Sequence, residues 1–378
     1  MRQTAERARD PRAGWALELA APGVRGLVPY EPGKPVEALA RELGIREAVK
    51  LASNENPLGP SPRALEAARA ALAGIARYPD GHGHALRAAL AARHGVDPAC
   101  IVLGNGSNDV LDLVARAFLG PGTEAVMGEH AFAVYPIATR AAGAEAVVAP
   151  ARDFGHNLEA MAARVTARTR VVWIANPNNP TGTRLAPERL HAFLEALPPH
   201  VVAVVDEAYH EYAAPAGEQG AVAWLATLPR LVVTRTFSKA HGLAGLRIGY
   251  GVAAPEVAEL LHRVRQPFNA NAVAQAAAEA ALADEAHIAR SVALNREGMA
   301  QLEAGLRALG LTWVPSAGNF LCVDVGREAA PVYEALLREG VIVRPVAGYG
   351  LPRHLRVTVG LPEENRRFLE ALARVLGR

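Results

Sequence analysis

The stretch LVVTRTFSKAHGLAGLRIGYGVA, residues 231–253, is two β-branched runs joined by a polar, glycine-containing turn. LVVTRT (231–236) and RIGYGVA (247–253) each read as a strand, because short apolar runs bounded by Gly and Ser suit a pleated, buried surface. The connection between them is too short for a helical crossover, so this pair can include an antiparallel strand. Five similar runs precede it: CIVLG (100–104), EAVMG (124–128), EAVVAP (145–150), RVVWIANP (170–177) and VVAVVDEA (201–208). Ala/Leu/Arg stretches of helical spacing lie between most of them. That alternation predicts an α/β large domain whose mostly parallel, seven-stranded sheet is covered on both faces.

The character changes towards the C-terminus. Residues 276–310 read as long and helical, with a bend. FLCVDV (320–325), VIVRPV (341–346) and HLRVTVG (354–360) then alternate with helical stretches, which predicts a smaller α/β C-terminal domain. The expected division is an N-terminal tail over 1–24, an arm over 25–55 that packs on the small domain, a large domain over 56–265, and a small domain over 266–378.

Composition excludes several classes. The formal net charge is +2 and no run of five like charges occurs, so no basic face for nucleic acid is implied. The two cysteines, Cys100 and Cys322, lie in apolar runs without metal-ligand spacing, and no metal is expected. No stretch reaches the length of apolar residues that crosses a bilayer, and the polar N-terminus lacks the apolar region of a secretory signal. A cytoplasmic protein is expected.

Four polar turns follow predicted strands: GNGSND (104–109), NPNNPTG (176–182), DEAY (206–209) and TFSK (236–239). Open α/β sheets bind ligands at the carboxyl ends of their strands, so these turns describe one composite site. Lys239 stands out because only Lys34, Lys50 and Lys239 are lysines among the 40 Lys and Arg residues. An amine can form an imine with a carbonyl and a guanidinium cannot. Asp206 ends the most apolar run of the chain. A carboxylate there is costly unless a positive charge meets it, and the protonated ring nitrogen of a cofactor would serve. Helix capping is the plainer alternative for Asp206. The backbone of GNGSND ahead of a helical stretch suits a phosphate, and Thr236, Ser238 and Arg247 can complete that cup. Asn179 can hydrogen-bond a ring hydroxyl.

NPNNPTG, DEAY and TFSKAHGLAGLR together resemble, in order and spacing, the pyridoxal-phosphate aminotransferases of fold type I. The resemblance runs from about residue 25 to the C-terminus. It implies pyridoxal 5'-phosphate as cofactor, bound covalently to Lys239, with Asp206 on the ring nitrogen and Asn179 and Tyr209 at the ring hydroxyl. It assigns Gly106, Ser107, Asn108, Thr236, Ser238 and Arg247 to the phosphate. Phe132 falls where the ring-stacking aromatic stands, often a tyrosine in relatives. It also implies catalysis by Lys239, Asp206 and Tyr209, and ping-pong kinetics.

Within that fold, VPYEPGKPVEALARELG (28–44), LASNENPLGPSP (51–62) and RYPDG (77–81) resemble histidinol-phosphate aminotransferases. The resemblance puts Tyr30 and Asn54 near the substrate and has Tyr78 reach the cofactor phosphate of a partner subunit, which implies a homodimer. It assigns Arg344 and Arg356 to the distal phosphate of L-histidinol phosphate, one of them being able to take an α-carboxylate instead. Glutamate and 2-oxoglutarate are the implied amino partners. An aromatic amino-acid aminotransferase and a phospho-amino-acid decarboxylase are the alternatives.

Overall fold

The computed structural model describes residues 14–45, 47–215 and 217–378. After a two-residue strand in the arm, Val49–Lys50 (β1), all seven predicted runs form strands of one sheet. They are Ile101–Gly104 (β2), Glu124–Gly128 (β3), Glu145–Ala149 (β4), Thr169–Ala175 (β5), Val202–Asp206 (β6), Leu231–Thr236 (β7) and Gly249–Ala253 (β8). Their order is β2-β8-β7-β6-β5-β3-β4. Every pairing is parallel except those of β8, which runs antiparallel to both β2 and β7. The short connection ahead of β8 therefore turns the chain straight back.

Side chains of the central strands alternate between two buried layers, as the pleat requires. Val172, Ile174, Ala203, Val205 and Val233 face one core. Val171, Trp173, Val202, Val204 and Val232 face the other. Asp206 is the one charged residue of β6, at its carboxyl end. Because β8 lies between β2 and β7, Gly249 pairs with both Gly104 and Thr236. The ends of three strands thus meet at one corner. A side chain at Gly249 would collide with the backbone of Ser107 and Arg235, so the close approach there needs glycine.

The second unit holds Thr312–Val314 (β9), Phe320–Asp324 (β10), Val341–Ile342 (β11), Arg344–Pro345 (β12) and His354–Thr358 (β13). Four of these form an antiparallel sheet ordered β12-β13-β10-β9. Two features differ from expectation. The three-residue edge strand β9 is too short to read as a strand in the sequence. The run 341–346 is two strands: β11 pairs in parallel with β1, while β12 joins β13. Pro345 has no N–H to donate, which suits the edge position of β12.

The arm is stitched to this second unit. Leu51 donates its N–H to Ile342 O at 2.7 Å, and Leu39 and Ala52 pack against Leu337 and Ile342. Residues 1–13 of the expected tail lie outside the described residues; from residue 14 the chain forms helices Gly14–Leu19 and Pro22–Arg25. The bend expected within 276–310 is a break between helices Ala272–Leu282 and Glu285–Ala308, where Asp284 accepts from His287 N–H at 3.2 Å and caps the second helix. The helix Ala272–Leu282 falls after the expected boundary at 265. Its buried face, Ala274, Ala277, Ala278, Ala281 and Leu282, nevertheless joins the core of the large sheet.

Candidate active site

A cavity of about 250 Å³ opens at the carboxyl ends of β5, β6 and β7, where arm, large sheet and second unit meet. Lys239 lies just past β7 and is part-buried. Its Nζ donates to Ser53 O at 3.1 Å and sits 5.7 Å from the centre of the Tyr209 ring. Burial, and then the guanidinium of Arg356, push its pKa from 10.5 down to about 7. Arg247 adds to that shift, while Glu55 and Asp206 oppose it.

Asp206 is buried at the floor of the cavity. Tyr135 Oη donates to its Oδ2 at 2.9 Å and Thr234 Oγ1 donates to its Oδ1 at 3.0 Å. Burial raises its pKa above the ordinary carboxylate value, and the hydrogen bonds from Tyr135, Thr234 and the Ala208 N–H partly offset this. Helix capping does not account for Asp206, because Tyr209 holds the N-cap of the following helix, His210–Ala213.

Tyr209 is also buried, and burial pushes its phenol up to about 12, so it stays neutral. Asn54 Nδ2 donates to its oxygen at 2.8 Å, which leaves the phenolic proton free to donate elsewhere. Asn54 itself has φ of 55° and is held by Thr358, whose Oγ1 donates to Asn54 Oδ1 at 3.0 Å and accepts its N–H at 2.9 Å. One asparagine therefore ties the arm to both sheets.

Ser107 and Asn108 begin the helix Ser107–Phe118 and line the cavity. Gly106 caps that helix with φ of 84°, and a Cβ there would fall on the Arg247 guanidinium. Arg247 Nη1 donates to Ser238 Oγ at 3.2 Å, and Ser238 N–H donates to Thr236 Oγ1 at 3.1 Å. Helix N–H groups, hydroxyls and a guanidinium facing one corner form an anion cup.

Phe132 lines the wall, with Tyr30 at its edge, ring centres 6.5 Å apart. Arg356 is buried and lines the cavity. Its Nη1 donates to Asn179 Oδ1 at 2.6 Å and its Nη2 to Ala52 O at 2.6 Å, while its Nε has no partner among the described residues. Arg344 is register-paired with Arg356 but does not line the cavity. It donates to Glu31 O and stacks 5.5 Å from the Tyr30 ring centre, so it backs Tyr30 instead. Tyr78 also lies outside this cavity. It is 81% exposed and stacks on Phe268 at 4.5 Å.

Three residues of the site were not expected from the sequence: Tyr135 and Thr234, the donors to Asp206, and Glu55, which lines the cavity and accepts from Lys50 Nζ at 2.8 Å. Thr234 carried a usable signal: it stands two residues before Thr236, on the same face of a strand.

The arrangement offers a nucleophilic amine near its titration point, a buried carboxylate, an anion cup and a second guanidinium, all in one cavity. The aminotransferase class I and II family matches residues 46–372. The chain belongs to that family. It is 61% identical to histidinol-phosphate aminotransferase 2 of Pseudomonas fluorescens (strain Pf0-1) over 97% of this chain and all of the relative. It is 62% identical to histidinol-phosphate aminotransferase 2 of Pseudomonas aeruginosa, over 95% of this chain and 98% of the relative. Among solved structures, the histidinol-phosphate aminotransferase of Sinorhizobium meliloti, in complex with pyridoxal-5'-phosphate, superposes with a TM-score of 0.88 at 31% identity. The match covers 95% of this chain and 98% of that one. A double mutant of the aspartate aminotransferase of Thermus thermophilus superposes with 0.81 at 28% identity, over 94% and 99%. The fold expected for this aminotransferase, that of type I pyridoxal-phosphate enzymes with a large mostly parallel sheet, is the one it has.

Proposed function

We propose that this chain is a pyridoxal-phosphate-dependent transaminase that moves the amino group of L-histidinol phosphate to 2-oxoglutarate. The observation that carries the reading is the single cavity holding Lys239, Asp206 and the Arg247–Ser238 anion cup. The names of its relatives at 61% and 62% identity support the substrate.

The residues present fit the cofactor. Asp206 offers a buried anion with lone pairs left for a ring N–H, and the Gly106–Asn108 turn with Ser238 and Arg247 offers donors to a phosphate. Asn179, Tyr209 and Phe132 all line the cavity, which supports reading the first two as partners of a ring hydroxyl and Phe132 as the cover of one ring face. Bound there, pyridoxal phosphate supplies the electron sink that lets a Cα–H bond of the amino substrate break.

The chain's own groups do the rest. Near neutral pH, Lys239 Nζ exists both as amine and as ammonium, so it can take the substrate proton and give it back. Asp206 holds positive charge at the ring. Tyr209, neutral and oriented by Asn54, donates without losing its proton. Arg356, a buried guanidinium that lines the cavity, is suited to the substrate's anionic end, and Arg344 acts by bracing Tyr30. The exposed Tyr78, with the exposed Leu72, Ile75 and Phe268 near it in sequence or space, supports a homodimer in which Tyr78 reaches the partner's phosphate cup. Among the described residues no helix is long and apolar enough to cross a membrane, which fits the cytoplasmic location we propose.

The test is kcat/KM for histidinol phosphate, tyrosine and phenylalanine with 2-oxoglutarate. Histidinol phosphate should lead by roughly tenfold or more, since a site built for a polar group discriminates strongly against its absence. A lead for tyrosine or phenylalanine would assign the chain to aromatic amino acids. Release of carbon dioxide without amino transfer would refute transamination altogether.

A further inference from the structure

Tyr135 is a wholly buried phenol that none of the steps above uses. Its helix, Val134–Ala141, starts two residues after Phe132, and the ring of Phe132 meets that of Tyr135 edge-on, centres 5.8 Å apart. Tyr135 stacks flat on Trp173 of β5, with ring centres 5.4 Å apart and planes within 4°. Trp173 is fixed in turn, because its Nε1–H donates to Thr139 Oγ1 at 3.1 Å. The ring of Tyr135 is thus clamped between a buried indole and the aromatic wall of the cavity.

The clamp aims one atom. Tyr135 Oη lies 2.9 Å from Asp206 Oδ2. Burial, and then the neighbouring Asp206 charge, raise its pKa well above 10, so the phenol keeps its proton and acts as donor. Thr234 donates to the other oxygen from the strand beside Asp206. A carboxylate oxygen has two lone pairs, so each donor takes one and leaves the carboxylate able to face the cavity.

We propose that Tyr135 is a positioning residue of the transamination: its hydroxyl keeps the Asp206 carboxylate ionised and aimed, and so keeps the shared proton on the cofactor's ring nitrogen. This rests on the reading of Asp206 as the partner of that nitrogen. Without the donor, the carboxylate is more basic and draws the proton towards itself. A less positive ring then raises the proton affinity of the nitrogen that joins Lys239 to the cofactor.

The experiment is a pH titration of the visible absorbance of the holoenzyme, wild type against Tyr135→Phe. Phenylalanine keeps the ring, its stack on Trp173 and its edge on Phe132, and removes only the hydrogen bond. The midpoint should rise by about one pH unit, the size of one lost hydrogen bond to a charged group. Affinity for pyridoxal phosphate should weaken by about tenfold. Thr234→Val, a second variant that removes the other donor, should move the midpoint the same way. Thr139→Val loosens the Trp173 side of the clamp but leaves the Tyr135 hydroxyl in place, so it should lower Tm and move the midpoint by much less than Tyr135→Phe does. A Tyr135→Phe midpoint equal to wild type, or an equal shift from Thr139→Val, would overturn the proposal and leave Tyr135 a packing residue. A wild-type visible band that does not titrate would overturn the proposal alone, and a wild-type protein with no visible band in the presence of pyridoxal phosphate would refute the cofactor reading and the proposal with it.

Discussion

Replacing Asp206 with asparagine separates what the carboxylate costs the fold from what it gives the cofactor. The cost comes from its place at the end of an all-buried strand. Its folded pKa is raised by burial, so relative to low pH the cofactor-free fold loses stability as the pH rises through that raised value. Asparagine removes the charge and keeps the shape. The hydroxyls of Tyr135 and Thr234 can each donate or accept, so one can rotate to meet the new NH₂ group. The cofactor-free variant should therefore melt at or above the wild-type temperature at neutral pH. The benefit to the cofactor has the opposite sign. A carboxylate and a ring N–H⁺ about 4 Å apart at an effective dielectric of about 20 attract by roughly 4 kcal/mol. That is about a thousandfold, to be divided between cofactor affinity and the rate of the half-reaction. Calorimetry of the cofactor-free protein, absorbance titration with pyridoxal phosphate, and single-turnover kinetics with histidinol phosphate read the three quantities separately. An Asp206→Asn protein within about tenfold of wild type in both affinity and rate would refute the charge-pair argument. A cofactor-free variant that melts well below wild type would refute the claim that the ionised carboxylate burdens the fold.

Lys239 should be the first lysine modified by an amine-directed reagent in cofactor-free protein, with a rate that is low below about pH 7 and levels off above it, because only the free amine reacts. Lys34, whose pKa Glu42 raises, should need far more alkaline solution, and a Lys239 midpoint above about 9 would refute the burial argument. Lys239→Arg should abolish turnover and borohydride trapping of the cofactor together. Gly106→Ala should weaken cofactor binding by roughly ten- to a hundredfold and lower Tm as well. Its Cβ displaces the Arg247 guanidinium, and a non-glycine residue at φ of 84° stores roughly 1–3 kcal/mol of strain. Unchanged pyridoxal phosphate affinity by absorbance titration would show that Arg247 is not the cup's anchor.

Much of this was legible along the chain because it depends on neighbours in sequence. The central strands of the large sheet announce themselves since both faces are buried, which gives each a short apolar core such as VVWIA, VAVV or LVV. Lys239 and Asp206 stand out because each is chemically out of place, one a rare amine and the other a charge ending an apolar strand. What escaped depends on strand order. Tyr135 meets Asp206 across 71 residues, and only because the helix it sits on packs beside β3 and β4, from where its ring reaches Trp173 of β5 and the end of β6. Arg344 and Arg356 follow the same alternation in sequence and are register partners, yet only Arg356 enters the cavity. The carbonyl of Glu31 and the ring of Tyr30, both from the distant arm, hold the other.

The turn between β7 and β8 joins the two kinds of information. Too short for a crossover helix, it must reverse the chain, so β8 slots between β2 and β7 at the corner where their ends meet. That reversal puts Lys239 at one end of the turn and Arg247 at the other, and carries Arg247 over the Gly106 cap with φ of 57°. The same constraint therefore decides the one antiparallel strand of the large sheet and brings the amine and the guanidinium proposed to hold the phosphate to one cavity. An inserted helix of crossover length between 237 and 246 would let β8 run parallel and would separate those two groups. The fold's exception and the site are one feature of the chain.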